Sequence, residues 1–468
     1  FGTIQSAGCM YEFYNLGLMV TMPPLNIAVI GSGVSGLSAA WLLSKRHKVT
    51  LFEQDGRLGG HTHTSIVLTA DGLVPVDTGF IVFNELNYPN LTALFGHLGV
   101  RTAPTEMTFA VSANHGAFEY AGSGPGLFGQ ITNLVNRRHW RLVSDMFRFF
   151  RTAQRALERH PDDISLGAFL KAENYSGAFI EDHILPMGAA IWSTPMVGML
   201  DFPAATFLNF YANHGMLQAV GRPAWKSVSG GSKTYVQRLL EDGDIKTAIG
   251  TPVRRVGRAR SCVHVEDARG VVRMYDHVVI AAHADQALSM LSDPTPKEQS
   301  LLGTFSYERN HAVLHRDKRF MPRRRRLWQS WNYLKRGHGL ESELCVSYWM
   351  NSLQKLPTKT DLFVTLNPPW EIHPKAIDLE VDYDHPVFSK EAIAAQSRLW
   401  SLQGKDRTWF CGAYFGYGFH EDGLQSGLAV AEQLGGVRRP WSVADESGRI
   451  RITHNAGAGD AAPLVAAE

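Results

Sequence analysis

The chain has 468 residues, about three times the ~150-residue domain prior, so two or three folding units are expected. With 44% hydrophobic and 19% charged residues there is apolar material for a large core, which excludes a disordered chain, a collagen-like repeat and a small disulfide scaffold. Basic and acidic residues nearly cancel, 46 against 44 for a net +2, so no global field recruits nucleic acid. The four cysteines, Cys9, Cys262, Cys345 and Cys411, include no CxxC pair, which excludes a zinc knuckle and fits a reducing compartment such as the cytoplasm. The most apolar stretch, 188–200, stops at Asp201, short of the about 20 residues that a bilayer-crossing helix needs.

Residues 1–21 begin without Met and carry no basic residue, so they lack the positive n-region of a secretory signal. Met22 is the expected start, and 1–21 an extension. Asn26–Ile30 is a short apolar, β-branched run, as a buried parallel strand requires. It leads into Gly31-Ser-Gly33-Val-Ser35-Gly36 and a helix predicted over 37–44. In such a unit Gly31 makes the tight turn, Gly33 lets a pyrophosphate approach, and Gly36 lets helix and strand pack closely. The helix N-terminus then offers unpaired N–H groups to phosphate. A second strand, 47–52, ends at Glu53, close to the spacing of about 20 residues expected for a ribose-binding carboxylate. Gly31, Gly33, Ser35, Gly36, Glu53 and its neighbour Gln54 are therefore candidate dinucleotide contacts. This unit alone suits NAD and FAD equally.

Farther along, Asp77 precedes an apolar run and suits either a turn cap or the support of a cofactor-side loop. Trp192, Ser193 and Thr194, before Pro195, form a candidate pocket wall, although core packing is the commoner role of a large aromatic. Segment 136–151 is predicted to be an aromatic, basic helix, and 323–326 is a run of four arginines. A packed helix and a solvated loop are the plain reading; docking on an anionic bilayer is the bolder one. Tyr348 and Met350 are expected on one strand face and Trp349 on the other. Segment 408–411 reads as a buried strand, with Cys411 a small core residue. It is followed by a glycine-rich turn over 412–423 and a helix over 424–434. The Ala- and Gly-rich end, 454–468, is expected to fray. No catalytic triad or metal-ligand spacing stands out, so no metal is expected.

Glu53, Arg57, Gly59 and Gly60 reproduce an E-x(3)-R-x-G-G signature, and the chain thereby resembles the flavin-containing amine oxidase and phytoene desaturase superfamily. The resemblance implies FAD as cofactor, with Gly59 and Gly60 at the pyrophosphate and Arg57 as its charge partner. His61 stands where amine oxidases usually carry Arg. It further implies that 230–240 is the superfamily's GG-plus-helix element and that Val253 offers backbone to the adenine. Segment 276–282 is then a further buried strand. Gly412, Asp422, Gly423 and Leu424 would lie against the flavin, with Ala413 replacing an acid common in relatives. Segments 76–84, 191–195, 213–216, 282–286, 347–354 and 418–424 are similar to one bacterial-type subfamily of NAD/FAD-binding oxidoreductases, over about 25–435.

The implied fold is α/β: a discontinuous Rossmann-type FAD-binding domain (22–100, 221–295 and 396–440), an inserted α+β substrate domain (101–220 and 296–395) and a C-terminal tail (441–468). The implied chemistry is hydride acceptance by the flavin, while the protein orients the substrate and excludes water. Tyr414, Tyr417, Phe419 and His420 fall nearest to substrate. His420 is the acid/base candidate, with Tyr417 beside it, and Trp192, Tyr348 and Tyr414 are candidate pocket residues. The subfamily's association with cyclopropane-fatty-acid-synthase-like methyltransferases suggests an apolar, acyl-lipid-like substrate, handled in the cytoplasm or at a membrane periphery. The rivals are an amine oxidase and a flavin-bound isomerase or scaffold without net redox change.

Overall fold

The computed structural model describes residues 23–452 except 123, 162, 193–195, 214–215, 218–222, 338 and 340–341. Met22, Ser193, Thr194, Pro195, the 454–468 segment and the side chain of Trp192 lie outside the described residues. The first sheet is parallel throughout, in the order Ile245–Ala248, Lys48–Phe52, Asn26–Ile30, His277–Ile280, Thr408–Phe410. Its central strand is apolar on both faces because both are covered: Ile27, Ala28 and Val29 are fully buried.

The helix Val34–Ser44 follows the first strand and is buried from Val34 to Leu43. It is apolar all round because a second helix, His420–Gly435, covers the side that a surface helix would show to water. Glycine allows that contact. A Cβ at Gly427 would lie 2.2 Å from Ser35 O and one at Gly423 would lie 2.8 Å from Val34 Cγ1, while one at Gly36, on the strand side of the same helix, would lie 1.9 Å from Gly31 O. The closing helix begins at His420, four residues before the predicted start; Gly423, which reads as a turn residue, is a packing position within its first turn, and Gly427 packs one turn further on. The chain after 440 also stays in contact with the fold as far as it is described. Trp441 stacks on Trp41 at 5.8 Å, and Arg439 Nη1 donates to Asn90 Oδ1 at 2.8 Å.

A second sheet has seven strands, in the order Ile377–Val387, Ser306–His315, Phe363–Leu366, Glu343–Trp349, Trp331–Arg336, Phe109–Ala113, Phe118–Ala121. One face packs on helices that include Arg137–Leu157, Leu166–Ala172 and Ala204–Asn213. Tyr348 and Met350 belong to that core, while Trp349 packs on Trp328 on the opposite face, as the period of two demands. The Ile377–Val387 strand sorts its side chains by the same rule. Asp378, Glu380, Asp382 and Asp384 alternate with Leu379, Val381, Tyr383 and His385, and Leu379, Val381 and Tyr383 face the helix-covered core.

Gly427→Ala is expected to lower the unfolding free energy by about 1–3 kcal/mol, as overpacking does. Gly96→Ala is the matched control, since an added Cβ there meets nothing within 4 Å; it should leave stability unchanged or slightly raised. Urea unfolding midpoints compare the two.

Candidate active site

The two glycine turns predicted from sequence face each other. Gly31 has φ +99°, where the chain turns from strand to helix, and its N–H donates to Phe52 O of the neighbouring strand at 2.9 Å. No side chain caps the helix at Gly33, and no acid lies in its first turn, so its leading N–H groups are free for an anion. A Cβ at Gly33 would meet nothing within 4 Å, whereas one at Gly60 (φ +57°) would lie 3.0 Å from Gly33 Cα. Gly59 N donates to Ser32 O and to Ser32 Oγ, both at 3.1 Å, which ties the turns together. Open space at the uncapped helix, bounded by a second glycine backbone, fits a pyrophosphate.

Glu53 is buried at the end of its strand. Its Oε2 accepts from Ser32 N at 3.0 Å and from Ser32 Oγ at 2.5 Å, and its Oε1 accepts from Asp55 N at 2.9 Å. A carboxylate has about four acceptor sites, so one remains for a ribose hydroxyl. Thr251 N donates to Glu53 O at 2.8 Å and Gly250 N to Asp55 O at 3.0 Å. These bonds set Val253, at the start of the Val253–Arg258 strand, beside the ribose-side carboxylate. Gln54 is exposed next to it, and Arg57 is half-buried, reaching Thr62 O at 3.4 Å.

The closing motif meets the Gly59–Gly60 loop through a buried chain of hydroxyls. Thr62 Oγ1 and Tyr235 OH share a hydrogen bond at 2.6 Å, as do Tyr235 OH and His420 Nε2. The His420 ring stacks on Phe80 at 3.9 Å. Burial lowers the His420 pKa to about 3, so the imidazole is neutral near pH 7. Asp422 is fully buried, accepts from Phe419 N at 2.8 Å and faces Arg449 at 3.5 Å. Gly412 N donates to Ser426 Oγ at 3.0 Å, fixing the loop onto its own helix.

A second group, less legible in the sequence, lies where the seven-stranded sheet covers this loop. His61 stacks on Tyr383 at 4.9 Å and sits 5.3 Å from His385. His385 Nδ1 and Asn310 Nδ2 are 3.0 Å apart, and the His283 ring stacks on Tyr307 at 4.2 Å. Burial, then the neighbouring His385, His283, His420 and Arg57, push His61 well below the usual histidine range. Burial and then His283 lower His385 to about 4. His61 Nε2 is buried without a hydrogen-bond partner, a polar atom of the kind that a bound group satisfies. Tyr383 and His385 fall two apart on one strand face, and that period was the available signal. Their meeting with His61 is a long-range contact that no local pattern shows.

The remaining sequence candidates fall in three places. Tyr417 is 46% exposed and lines a cavity of about 250 Å³ with Asn87, Phe210, Phe419 and Arg449; it does not join His420. Tyr414 lies in the core under the parallel sheet, against Phe305 and Phe415, and not on the wall of that cavity. Tyr348 is buried against Trp331 at 5.1 Å. Cys411 is fully buried, which raises its thiol to about 12. Ser35 is buried at the helix N-terminus, and Leu424 is buried in the closing helix. Asp77 is no simple turn cap: it accepts from Ser232 N, Ser232 Oγ, Thr64 Oγ1 and Gln354 Nε2, at 2.5–3.0 Å. It thus pins the start of the Lys233–Asp242 helix, which carries Tyr235, to Thr64 at the start of the Thr64–Thr69 strand.

The arginine run 323–326 is not a free solvated loop either. Arg324 pairs with the buried Glu119 at 2.8 Å and Arg325 with Asp361 at 3.0 Å. Among the described residues no group of three His, Cys, Asp or Glu side chains is placed to hold a metal ion, and no helix is long and apolar enough to cross a membrane.

A nicotinamide dinucleotide fold needs only the first glycine turn. Here a second glycine pair and the N-terminus of a helix almost 400 positions downstream converge on the same point, and that convergence defines an FAD-dependent oxidoreductase with a Rossmann-type cofactor domain. The chain belongs to the flavin containing amine oxidoreductase family, whose model matches residues 34–435. Polyamine oxidase 5 of Oryza sativa subsp. japonica is 31% identical over 146 residues, which is 31% of this chain and 28% of that one. The chain spans less than a third of the length of the curated relatives it matches. Among solved structures, a CLA-producing fatty acid isomerase from P. acnes superposes with a TM-score of 0.60 at 14% identity, over 88% of this chain and 98% of that one. A redesigned putrescine oxidase gives 0.61 at 16%, over 88% and 99%. At these identities the likeness is one of fold.

Two measurements follow from this geometry. Glu53→Gln is expected to weaken FAD retention about tenfold, the loss of one good hydrogen bond to a charged group, read from the ratio of flavin to protein absorbance after dialysis. Burial raises Asp77 from the ordinary 3.8 to about 6, so the folded chain keeps a proton that the unfolded chain has lost. Through this group stability falls as pH rises between those two values, and is flat above them. Asp77→Asn should remove that slope in urea midpoints taken across the same range.

Proposed function

We propose that the protein abstracts a hydride from a C–H bond of an uncharged, apolar substrate of acyl-lipid type, in a desaturation or oxidation. The observation that carries this reading is the aromatic, uncharged lining around the buried histidines. Tyr383 stacks on His61 and Phe80 on His420, and burial holds His61, His385 and His420 neutral. The acids of the Ile377–Val387 strand alternate away from Tyr383 and His385, and Asp384 pairs outward with Arg309. One of the structural neighbours is a fatty acid isomerase, which is in keeping with a site for acyl chains.

FAD, when bound, supplies the hydride acceptor. The chain's own residues hold it through the Gly33–Gly60 contact and Glu53, and exclude water with Phe80, Tyr383 and the closing helix. Tyr235 and His420 share one hydrogen bond and keep the loop in place without carrying charge. The double bond forms as a hydride leaves for the flavin and a proton leaves the neighbouring carbon, and the histidines of the site, already unprotonated near pH 7, are the groups available to accept that proton. The pH profile of the reductive half-reaction is therefore expected to lack a histidine inflection between about pH 5.5 and 8, the window in which an unperturbed imidazole titrates.

One observation favours a second reading, oxidation of an amine. Glu308 lies across from His385 in the strand register, on the same face as Asn310, and burial raises its carboxyl pKa. It is the acid best placed to receive an ammonium group. Anaerobic mixing of the FAD-loaded protein with phospholipid bearing unsaturated or methyl-branched acyl chains separates the readings. Bleaching of the visible flavin band that survives Glu308→Gln supports the apolar substrate. No bleaching by lipid, together with bleaching by a polyamine that Glu308→Gln abolishes, overturns it.

A further inference from the structure

The two basic stretches of the sequence, nearly two hundred residues apart, come together on one surface. Arg326 Nε donates to Gly129 O at 2.9 Å, Leu327 packs against Gly129, and Arg324 Nη1 donates to Gly116 O at 2.9 Å. Between them projects the single helical turn Ile131–Val135, followed by the helix Arg137–Leu157. Ile131 is 71% exposed, Leu134 53%, Val135 85% and Trp140 49%. Single exposed apolar residues are ordinary; four within ten positions form a patch that asks for a partner.

The patch is held rigid. Asn133 is buried beneath the turn and its Nδ2 donates to Glu119 O at 2.9 Å. Trp140 Nε1 donates to Leu134 O at 2.9 Å, and Phe128 packs on the indole at 4.7 Å. The helix starts firmly because Asn136 Oδ1 accepts from Arg138 N and His139 N. The turn is therefore displayed in one conformation, with little ordering left to occur on binding.

The charge left without an opposite partner around it has one sign. No Asp or Glu occurs between Glu119 and Asp145. Arg138 is engaged by Glu181 and Asp182, Arg324 by Glu119, and Arg325 by Asp361. Arg137, Arg141, Arg323 and Arg326 are exposed, and no carboxylate partner is seen for them among the described residues. An apolar tip with an indole, ringed by unpaired guanidinium groups, complements the headgroup–acyl boundary of an anionic bilayer.

We propose that the Ile131–Val135 turn, with Trp140 and the arginines 137, 141, 323 and 326, docks this protein on an anionic lipid surface. The proposal rests on this surface alone and holds whatever substrate the active site takes. Docking by a short apolar turn plus basic residues is reversible, each arginine strengthening partition by about fivefold, and it weakens as salt rises.

The test is co-sedimentation of the full-length, FAD-loaded chain with phosphatidylcholine vesicles, alone or with about one third phosphatidylglycerol. Binding is expected to the anionic vesicles only. Ile131→Asp with Val135→Asp, and separately Arg137→Glu with Arg141→Glu, should each lower that binding by about tenfold or more. Both variants change exposed side chains, so flavin content and thermal midpoint should match wild type. Failure of the wild-type chain to bind anionic vesicles overturns the proposal, as does equal binding by wild type and both variants. It is also overturned if sedimentation velocity shows a wild-type dimer that Ile131→Asp with Val135→Asp dissolves, since a second copy then covers the turn. Flavin reduction by substrate is read in the same samples without vesicles, so a wrong substrate and a wrong docking surface give different results.

Discussion

The cofactor half of the molecule depends on one steric constraint: two helices must touch at their N-terminal ends, and only glycine lets them. Gly423 and Gly427 sit where a single Cβ would strike Val34 or the Ser35 backbone of the first helix. Their absence of side chain brings the start of the first helix and the start of the closing helix to one point. The first helix presents uncapped N–H groups and a positive dipole end, with no acid in its first turn. The closing helix differs: Glu421 and Asp422 stand in its first turn, and Asp422 accepts from Phe419 N. The end that suits an anion is therefore that of the first helix, and the closing helix supplies the packing that holds it.

Buried acids do a related structural job elsewhere. The Asp77 carboxyl receives the N-terminus of the Lys233–Asp242 helix, and Glu421 accepts from Asn90 N and Leu91 N at the start of the Pro89–His97 helix. Both acids are out of solvent, and both have raised pKa values from burial. They join segments distant in sequence. The same low-dielectric surroundings keep the neighbouring histidines neutral. On the proposed reading, an apolar chain suits such surroundings better than an ion does.

Much of the cofactor site was legible in the chain. The first strand, the glycine turn, the Glu53 spacing and the Gly59–Gly60 pair carry their meaning locally, because each is a short segment whose backbone conformation dictates residue type. The start of the closing helix was less legible for the same reason: Gly423 looks like a turn residue until the partner helix is seen, whereas Gly427 already reads as a packing position within the helix. Tyr235, His385, Asn310 and Glu308 were beyond local reading, since their roles come from strand register and from a helix packed across the loop. Tyr414 shows the opposite case. Its neighbourhood in the closing motif suggested a pocket, yet the side chain turns into the core beneath the sheet. The arginine run was legible as charge but not as partnership, because Glu119 and Asp361 lie far from it in sequence.

The claim that the site is made for a neutral substrate is tested most directly by binding to the oxidised, FAD-loaded protein. A long-chain alcohol and the amine of equal chain length differ only in the terminal charge near pH 7. Titration of each against the visible flavin band gives the two affinities in one experiment. The neutral ligand is predicted to bind at least about tenfold more tightly, because a buried ammonium without a committed partner is strongly penalised. Tighter binding of the amine would contradict the account and would assign Glu308 the role of its counter-charge.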